Sequence, residues 1–310
     1  MCIINIMIDA ELIEKIYNKF KNTTGGKNAD YIPELGKVNP KLYGISFMVL
    51  NGENTPEEIN EGDCRVEFAI ESCSKVFTLA LALETYGIKN LKTNIGISKS
   101  TDKFNSISSI EKTTNHTINS FYNGGAMATT SLLYDKNKDK FVKTIIDNMS
   151  EFANRKLRVN KKIYKSEMNN IAHNLSIAYL LKSYKMFYGE VHSCVDVYTQ
   201  QCSTMVTCRD IAMMAAVLAN DGVHPVTKKR LLDTQNVKYI IELMKINGLY
   251  EETDDWMKLV GLPAKSGVGG ALLIVVPGKM GICIYSPPLN SHGNSVKGIK
   301  TAIVISKNLH

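Results

Sequence analysis

Residues 70–87 read IESCSKVFTLALALETYG, a polar opening that turns into an almost wholly apolar stretch. Val76, Leu79, Ala80 and Leu83 fall on one stripe at helical spacing, while Phe77 and Leu81 add apolar surface beyond it. A helix apolar over most of its circumference is buried, so the spacing predicts a central helix over 72–86 that Gly87 ends. Ser72 and Lys75, three apart in its first turn, share a face. A lysine is a useful base only when neutral, and burial or a second nearby cation lowers its pKa enough for that. A serine at a helix N-terminus also has backbone N–H groups aimed at an incoming oxyanion. Taken alone, the same spacing describes an N-cap serine followed by a solvated lysine.

Around this helix, GISFMVLNG (44–52) and CRVEFAI (64–70) predict two antiparallel strands joined by the polar stretch 52–63. Upstream, the apolar run Ile3–Ile8 reads as packing material ahead of a helix over Asp9–Phe20, which Asp9 caps, with a glycine break at Gly25–Gly26. Residues 88–135 are polar and irregular around the less polar island INSFYNGGAMATTSLL. Helices are predicted over 138–152 and 167–188, the second carrying Ile171, Leu175, Ala178 and Leu181 at helical spacing. Thr207 and Asp210 form a capping-box signature before the apolar run IAMMAAVLA, which stops at Asn220-Asp221-Gly222. A further helix at about 229–247 precedes GGALLIVVPGKMGICIYSP, two strands around a Pro-Gly turn, and Lys300–Ser306 suits a last strand or helix.

Strands at both ends with helices between them imply an α/β (α+β) fold, an antiparallel sheet flanked by helices with a helical lobe inserted. The reading is one catalytic domain, residues 1–310, of two interlocked lobes. One lobe is built from about 1–87 and 205–310, the other from about 88–204. Small-molecule sites favour the cleft between such lobes.

Composition narrows the function classes. In 310 residues, 44% hydrophobic and 22% charged content is ordinary for a folded domain. No apolar stretch approaches the roughly 18 residues of a spanning helix. The opening MCIINIMIDAELIEKIY lacks a basic region and a cleavage site, which predicts neither export nor membrane anchoring. Seven cysteines with no Cys-x-x-Cys pair favour reduced thiols in the cytoplasm. The histidines lack metal-ligand spacing, so no metal is expected. The net charge of +7 comes from lysines spread along the chain among acidic residues, which favours a solvated surface over a nucleic-acid partner.

A second motif strengthens the first. Lys265-Ser266-Gly267 stands directly before the strand GGALLIVVP and is a close analogue of the K-T-G triplet that accompanies Ser-x-x-Lys in serine β-lactamases and penicillin-binding proteins. Lys265 is then the candidate second cation beside Lys75. A lysine-serine-glycine turn leading into a strand is the plainer alternative.

At this point the chain resembles the serine-dependent glutaminases, a family with the β-lactamase/transpeptidase-like fold. The resemblance runs collinearly through GGKNADYIPELGKVNP, FAIESCSKVFTLALALETYG, INSFYNGGAMA, YKSEMNNIAHN, YTQQCSTMVTCRDIAMMAAVLANDGVHP, MKINGLY, VGLPAKSGVGGALLIVVP and PPLNSHGNSVKG. It implies hydrolysis of L-glutamine to L-glutamate and ammonia through a serine acyl-enzyme, without metal or organic cofactor, by a homodimer or homotetramer. Carried over position by position, Ser72 is the nucleophile and Lys75 its base, with Tyr198 or Tyr250 relaying a proton. Tyr31, Asn123, Glu167, Asn174, Tyr198, Tyr250 and Val268 fall on substrate-binding positions, with Lys265, Ser266 and Gly267 in support. Val268 would act through its backbone N–H, completing an oxyanion hole with Ser72.

The chemistry of glutamine fits these assignments. Its α-ammonium needs an anion, its α-carboxylate needs donors and its carboxamide needs an oxyanion hole. Glu167 and Asn174, seven apart on one predicted helix, would face the same way about 10.5 Å apart. Three positions depart from the family pattern: Asn28 replaces an apolar residue, Gly124 an alanine and His173 an arginine. They bear on affinity and regulation. Two other functions compete: a different Ser-x-x-Lys acyl hydrolase acting on β-lactams or D-peptides, and a non-catalytic glutamine-binding protein. Glu167 disfavours the first, and the intact Ser72, Lys75 and Lys265 disfavour the second.

Overall fold

The apolar runs Ala271–Val276 and Met280–Tyr285 are buried at every position, and a strand with no polar face needs cover on both sides. In the computed structural model, which describes residues 9–52 and 54–309, these runs form the middle of a sheet with helices on each face. The described strands are β1 (Gly44–Val49), β2 (Glu57–Gly62), β3 (Phe68–Ala69), β4 (Arg158–Val159), β5 (Thr204–Val206), β6 (Ala264–Ser266), β7 (Ala271–Val276) and β8 (Met280–Tyr285). The larger sheet has the order β2-β1-β8-β7-β6 and the smaller β3-β5-β4. Every pairing is antiparallel.

Alternation along the strands sorts side chains between two cores. Ile45, Phe47, Leu272, Ile274, Ile282 and Ile284 share one face, in the register Ile45 opposite Ile284 and Phe47 opposite Ile282. They pack on Ile13 and Ile16 of the helix Ala10–Phe20 and on Ala302 and Ile305 of the helix Val296–Lys307. Met48, Leu273, Val275, Cys283 and Tyr285 face the other way into the larger core, with the helices Ser74–Asn94 and Cys208–Ala219. The latter opens with the expected capping box, Thr207 and Asp210 satisfying each other's backbone N–H groups. No described helix is long and apolar enough to cross a membrane.

Several sequence expectations are corrected. The partner of β1 is not the run 64–70 but β2, which lies within the polar stretch read as a connection. β2 is an edge strand with only Ile59 buried, so its outward glutamates hide the alternation and guard the free edge. Residues 64–70 instead reach into the smaller sheet through β3. The central helix is interrupted at Gly87 as expected, with a non-helical φ 76° that glycine alone adopts at little cost; what the sequence did not announce is a second helical stretch that follows it to Asn94.

The predicted helix 167–188 is two helices, Lys161–Met168 and Ala172–Ser183. The break falls at Asn169–Ile171, where Asn170 donates its side-chain amide to the Tyr31 carbonyl instead of extending the helix. Within the region read as irregular, Asn123–Leu132 is a buried helix. The helix Val191–Cys202 went unread because polar Thr199 and Gln201 sit on its buried face and, with Ser193, Asp196 and Gln200, interrupt the apolar pattern. The last element, Val296–Lys307, is a helix. The run Ile3–Ile8 lies outside the described residues.

Ile282 sits at the centre of the larger sheet, fully buried and opposite both Phe47 and Ile274. Ile282→Ala is expected to lower unfolding stability by about 2–5 kcal/mol in urea titration, through lost transfer energy and a cavity between rigid strands.

Candidate active site

The segment before the central helix bends sharply to deliver Ser72. Glu71, Ser72 and Cys73 form a single 3₁₀ turn ahead of the helix Ser74–Asn94. Glu71 adopts φ 48°, an uncommon conformation for a residue with a side chain. The Ser74 hydroxyl ties the turn by donating to the Glu71 carbonyl at 2.6 Å. Across from it, the loop after β6 lies so close that a side chain at Gly269 would meet the Ala69 carbonyl at 2.4 Å. This contact brings Val268 to the same cavity as Ser72.

That cavity, about 220 Å³, is lined by Tyr31, Ser72, Asn123, Glu167, Asn174, Tyr198 and Val268, all singled out from the sequence. It is smaller than the roughly 300–1,000 Å³ of sites for drug-sized ligands and suits a molecule the size of an amino acid. Tyr31 stands at the mouth and is half exposed. Glu167 ends one helix and Asn174 lies in the first turn of the next, so the two reach the cavity from separate elements and not from one helical face.

Lys75 lies behind this wall, buried. Its Nζ donates to the Phe121 carbonyl at 2.9 Å and to Asn123 Oδ1 at 2.7 Å, and lies within hydrogen-bonding distance of the Tyr250 hydroxyl at 3.1 Å. Burial lowers its pKa from 10.5 to about 7, against the raising influence of Cys202, Glu71 and Cys73. The Tyr250 hydroxyl also lies beside Ser72, and the phenol is held well above its ordinary pKa by burial, a shift that the Ser72 contact partly offsets. Tyr250 thus touches both members of the Ser-x-x-Lys pair. It too has a left-handed backbone, φ 55°, fixed by Thr253, whose hydroxyl donates to the Tyr250 carbonyl at 2.9 Å.

Lys265 lies on β6, fully buried, with Nζ 4.0 Å from the centre of the Tyr250 ring and donating to the Ser266 carbonyl at 2.7 Å. The Tyr250 ring therefore has two lysine amines close to it, Lys75 Nζ being 5.3 Å from its centre. Lys265 is pushed well below its ordinary pKa by burial first and by the Lys75 charge second. Burial is the largest cause of the lowering at both lysines, ahead of the charge of either on the other. The Ser266 hydroxyl is buried without a hydrogen-bond partner among the described residues, and Gly267 closes the turn to Gly270.

The asparagines are oriented by these neighbours. Asn123 Oδ1 accepts from Lys75 and, at 3.3 Å, from the Tyr198 hydroxyl. Its amide nitrogen is then left to face Asn174 Oδ1 at 3.5 Å and the cavity. Glu167 is fixed by the Ser203 hydroxyl at 2.7 Å. His173, one of the departures from the family pattern, lines the cavity and meets the Asn105 carbonyl at 2.8 Å.

Sequence reasoning missed Glu71, Cys202 and Ser203. Glu71 carried a signal, a carboxylate inside the otherwise apolar FAIESC. Ser203 carried none, since its role depends on the unread helix 191–202. Among the described residues, Glu71, Glu167 and Cys202 are the group whose ligand atoms cluster within 4.8 Å. The thiol, held well above its usual pKa by burial and the two carboxylates, resists becoming a thiolate, so the set is poorly suited to a metal.

Comparisons with known proteins agree with this geometry. The family model "Glutaminase" matches residues 26–310. The chain is 44% identical over 299 residues to a glutaminase of Colwellia psychrerythraea, covering 96% of this chain and 95% of that one. It is 39% identical to glutaminase 1 of Shigella flexneri, covering 98% of each. The solved structure of the probable glutaminase ybaS superposes with a TM-score of 0.93 at 38% identity, covering 100% of this chain and 98% of the other. A structure of Mglu in its L-glutamate binding form matches with a TM-score of 0.90 at 33% identity, covering 96% of this chain and 67% of the other. With a buried lysine, a serine and a cavity of amino-acid size brought together as the motifs required, the chain belongs to the glutaminase family of amidohydrolases.

Proposed function

We propose that the enzyme hydrolyses L-glutamine to L-glutamate and ammonia through a glutamyl ester on Ser72, with Lys75 as base and Tyr250 as proton relay. The observation that carries this reading is the contact of the Tyr250 hydroxyl with both Lys75 Nζ and Ser72. Glu167 takes the α-ammonium, while the amide nitrogens of Asn123 and Asn174 donate to the α-carboxylate. The carboxamide then lies against Ser72 and the backbone N–H of Val268. L-Glutamate bound to the related Mglu supports an amino-acid ligand of this length.

In the first half-reaction Tyr250 passes its proton to neutral Lys75 as it takes the Ser72 proton, so the phenol never has to ionise. Ser72 Oγ attacks the carboxamide carbon, and the oxyanion falls to the N–H groups of Ser72 and Val268. The C–N bond breaks as the proton held on Lys75 returns through Tyr250 to the departing nitrogen, releasing ammonia. Water repeats the sequence on the ester, giving L-glutamate and restoring Ser72. Tyr198 orients Asn123 and takes no proton.

The rest of the reading concerns setting. The β-lactamase/transpeptidase-like arrangement, one catalytic domain with a lobe of about 1–87 and 205–310 and another of about 88–204, rests on the paired Ser-x-x-Lys and K-S-G motifs flanking one cavity. Assembly as a homodimer or homotetramer rests on the family resemblance. A cytoplasmic setting is supported by the six described cysteines, all buried and unpaired.

Ser72→Ala is expected to reduce ammonia release from L-glutamine by on the order of 10⁴ or more while the circular dichroism spectrum is unchanged; an active variant would reject the nucleophile. For kcat/KM, the Lys75 pKa of about 7 gives a definite sign: the neutral amine is the working form, so activity falls as pH drops below about 7 and levels off above it. Tyr250→Phe is expected to lower kcat by about 10²–10⁴, whereas Tyr198→Phe mainly raises KM; steady-state kinetics of the two variants side by side would expose the reverse assignment.

A further inference from the structure

Glu71 stands next to the proposed nucleophile yet has no part in the acyl-transfer steps above. It is buried to 4% exposure, it lines the substrate cavity, and one of its carboxyl oxygens, Oε1, meets no donor among the described residues. A buried carboxyl oxygen without a donor is costly unless something supplies one. Its neighbour is another carboxyl: oxygen atoms of Glu71 and Glu167 lie within 4.8 Å of each other, and the two groups are in hydrogen-bonding contact. Two buried carboxylates at that distance cannot both ionise without a cation between them.

We propose that Glu71 and Glu167 share one proton in the free enzyme and that the α-ammonium of the substrate displaces it, so that ligand binding releases a proton. This rests on the reading of the cavity as an amino-acid site and deepens it: the ammonium receptor is a carboxyl pair and not Glu167 alone. The charge balance favours the exchange. The pair with one proton carries a single negative charge, and so does the doubly ionised pair with an ammonium seated on it; the proton leaves to the buffer and no covalent bond is made.

The groups around the pair agree. Burial raises Glu71 first, and the charge of Glu167 adds to this, while Lys75 opposes it; burial also raises Glu167, and the Ser203 hydroxyl and Glu71 oppose that. The proton therefore rests on Glu71 and is donated to Glu167. Facing the pair are Lys75 and Cys73 beside the turn, Tyr198 and Cys202 from the helix Val191–Cys202, and Tyr31. His173 lines the same cavity, and Lys265 lies on the adjacent β6. Tyr198 and the two thiols are all held above their ordinary pKa values, chiefly by burial, so none of them competes for this proton as an acid.

The test is calorimetric titration of L-glutamine into the Ser72→Ala enzyme, in EDTA, in two buffers of equal pH and different ionisation enthalpy. The pair predicts release of close to one proton per ligand near neutral pH, with affinity weakening about tenfold per pH unit on the acid side. Glu71→Gln keeps the size and a hydrogen-bond donor to Glu167 but has no proton to lose. In the Ser72→Ala background, with the introduced amide donating to an ionised Glu167, it should release clearly less than the parent and bind with a shallower dependence on pH. In the otherwise wild-type enzyme it should raise KM about 10–100-fold at pH 8, with kcat changed only a few-fold. Glutamine binding without proton release, or equal release by Glu71→Gln, overturns the pair and leaves the glutaminase reading intact. Binding that disappears in EDTA would assign the cluster to a metal and also overturn it. Failure of Ser72→Ala to bind glutamine, together with no turnover by the parent enzyme, overturns the reading beneath it. Should Glu71→Gln not fold, the proton count in the Ser72→Ala enzyme decides alone.

Discussion

The site depends on one constraint: Lys75 is held where water cannot solvate its charge. Apolar residues of the central helix and the surrounding core enclose it, and among the described residues the hydrogen-bond partners at its Nζ are Phe121, Asn123 and Tyr250. Moving its pKa from 10.5 to about 7 corresponds to a bias of about 5 kcal/mol toward the neutral amine. The sign of the stability effect follows. Between about pH 7 and 10.5 the unfolded chain binds a proton at this position that the folded chain does not, so burying Lys75 costs stability, and the cost shrinks as pH rises. The two apolar cores on either side of the larger sheet offset it.

Rigidity around the lysine follows from the same packing. Tyr250 and Glu71, both with left-handed backbones, are unfavourable conformations that the surrounding structure maintains. Tyr250 is fixed by Thr253 and by the two lysine amines near its ring; Glu71 is fixed by Ser74 and by the loop after β6. Each strained residue presents a group to the cavity or to the reactive pair. Strain at these two points is consistent with catalytic geometry taking precedence over local backbone preference.

Much of this was legible in the sequence because the decisive features are local. The apolar stripe beginning at Val76, the Thr207–Asp210 capping box and the strands around Pro277–Gly278 each declare themselves within a few residues. The polar positions of the cavity were reached through collinear motifs, and seven of them line it. What stayed hidden depends on partners far away in the chain. β2 is a strand because β1 gives it an edge to pair with, although only Ile59 among its residues is buried. Glu167 and Asn174 were read onto one helix because nothing at Asn169–Ile171 announces that Asn170 will bond to Tyr31 instead. The burial of Lys265, which pushes its pKa down, is a property of depth that no triplet encodes.

The central claim is that Lys75 is uncharged when it acts. The most direct measurement is the titration of its side chain by NMR in enzyme labelled with ¹³C at lysine Cε, the resonance assigned by its loss in Lys75→Arg. The account predicts a midpoint near pH 7, far below that of the surface lysines. A Lys75 resonance that titrates with those lysines, near 10.5, would contradict it.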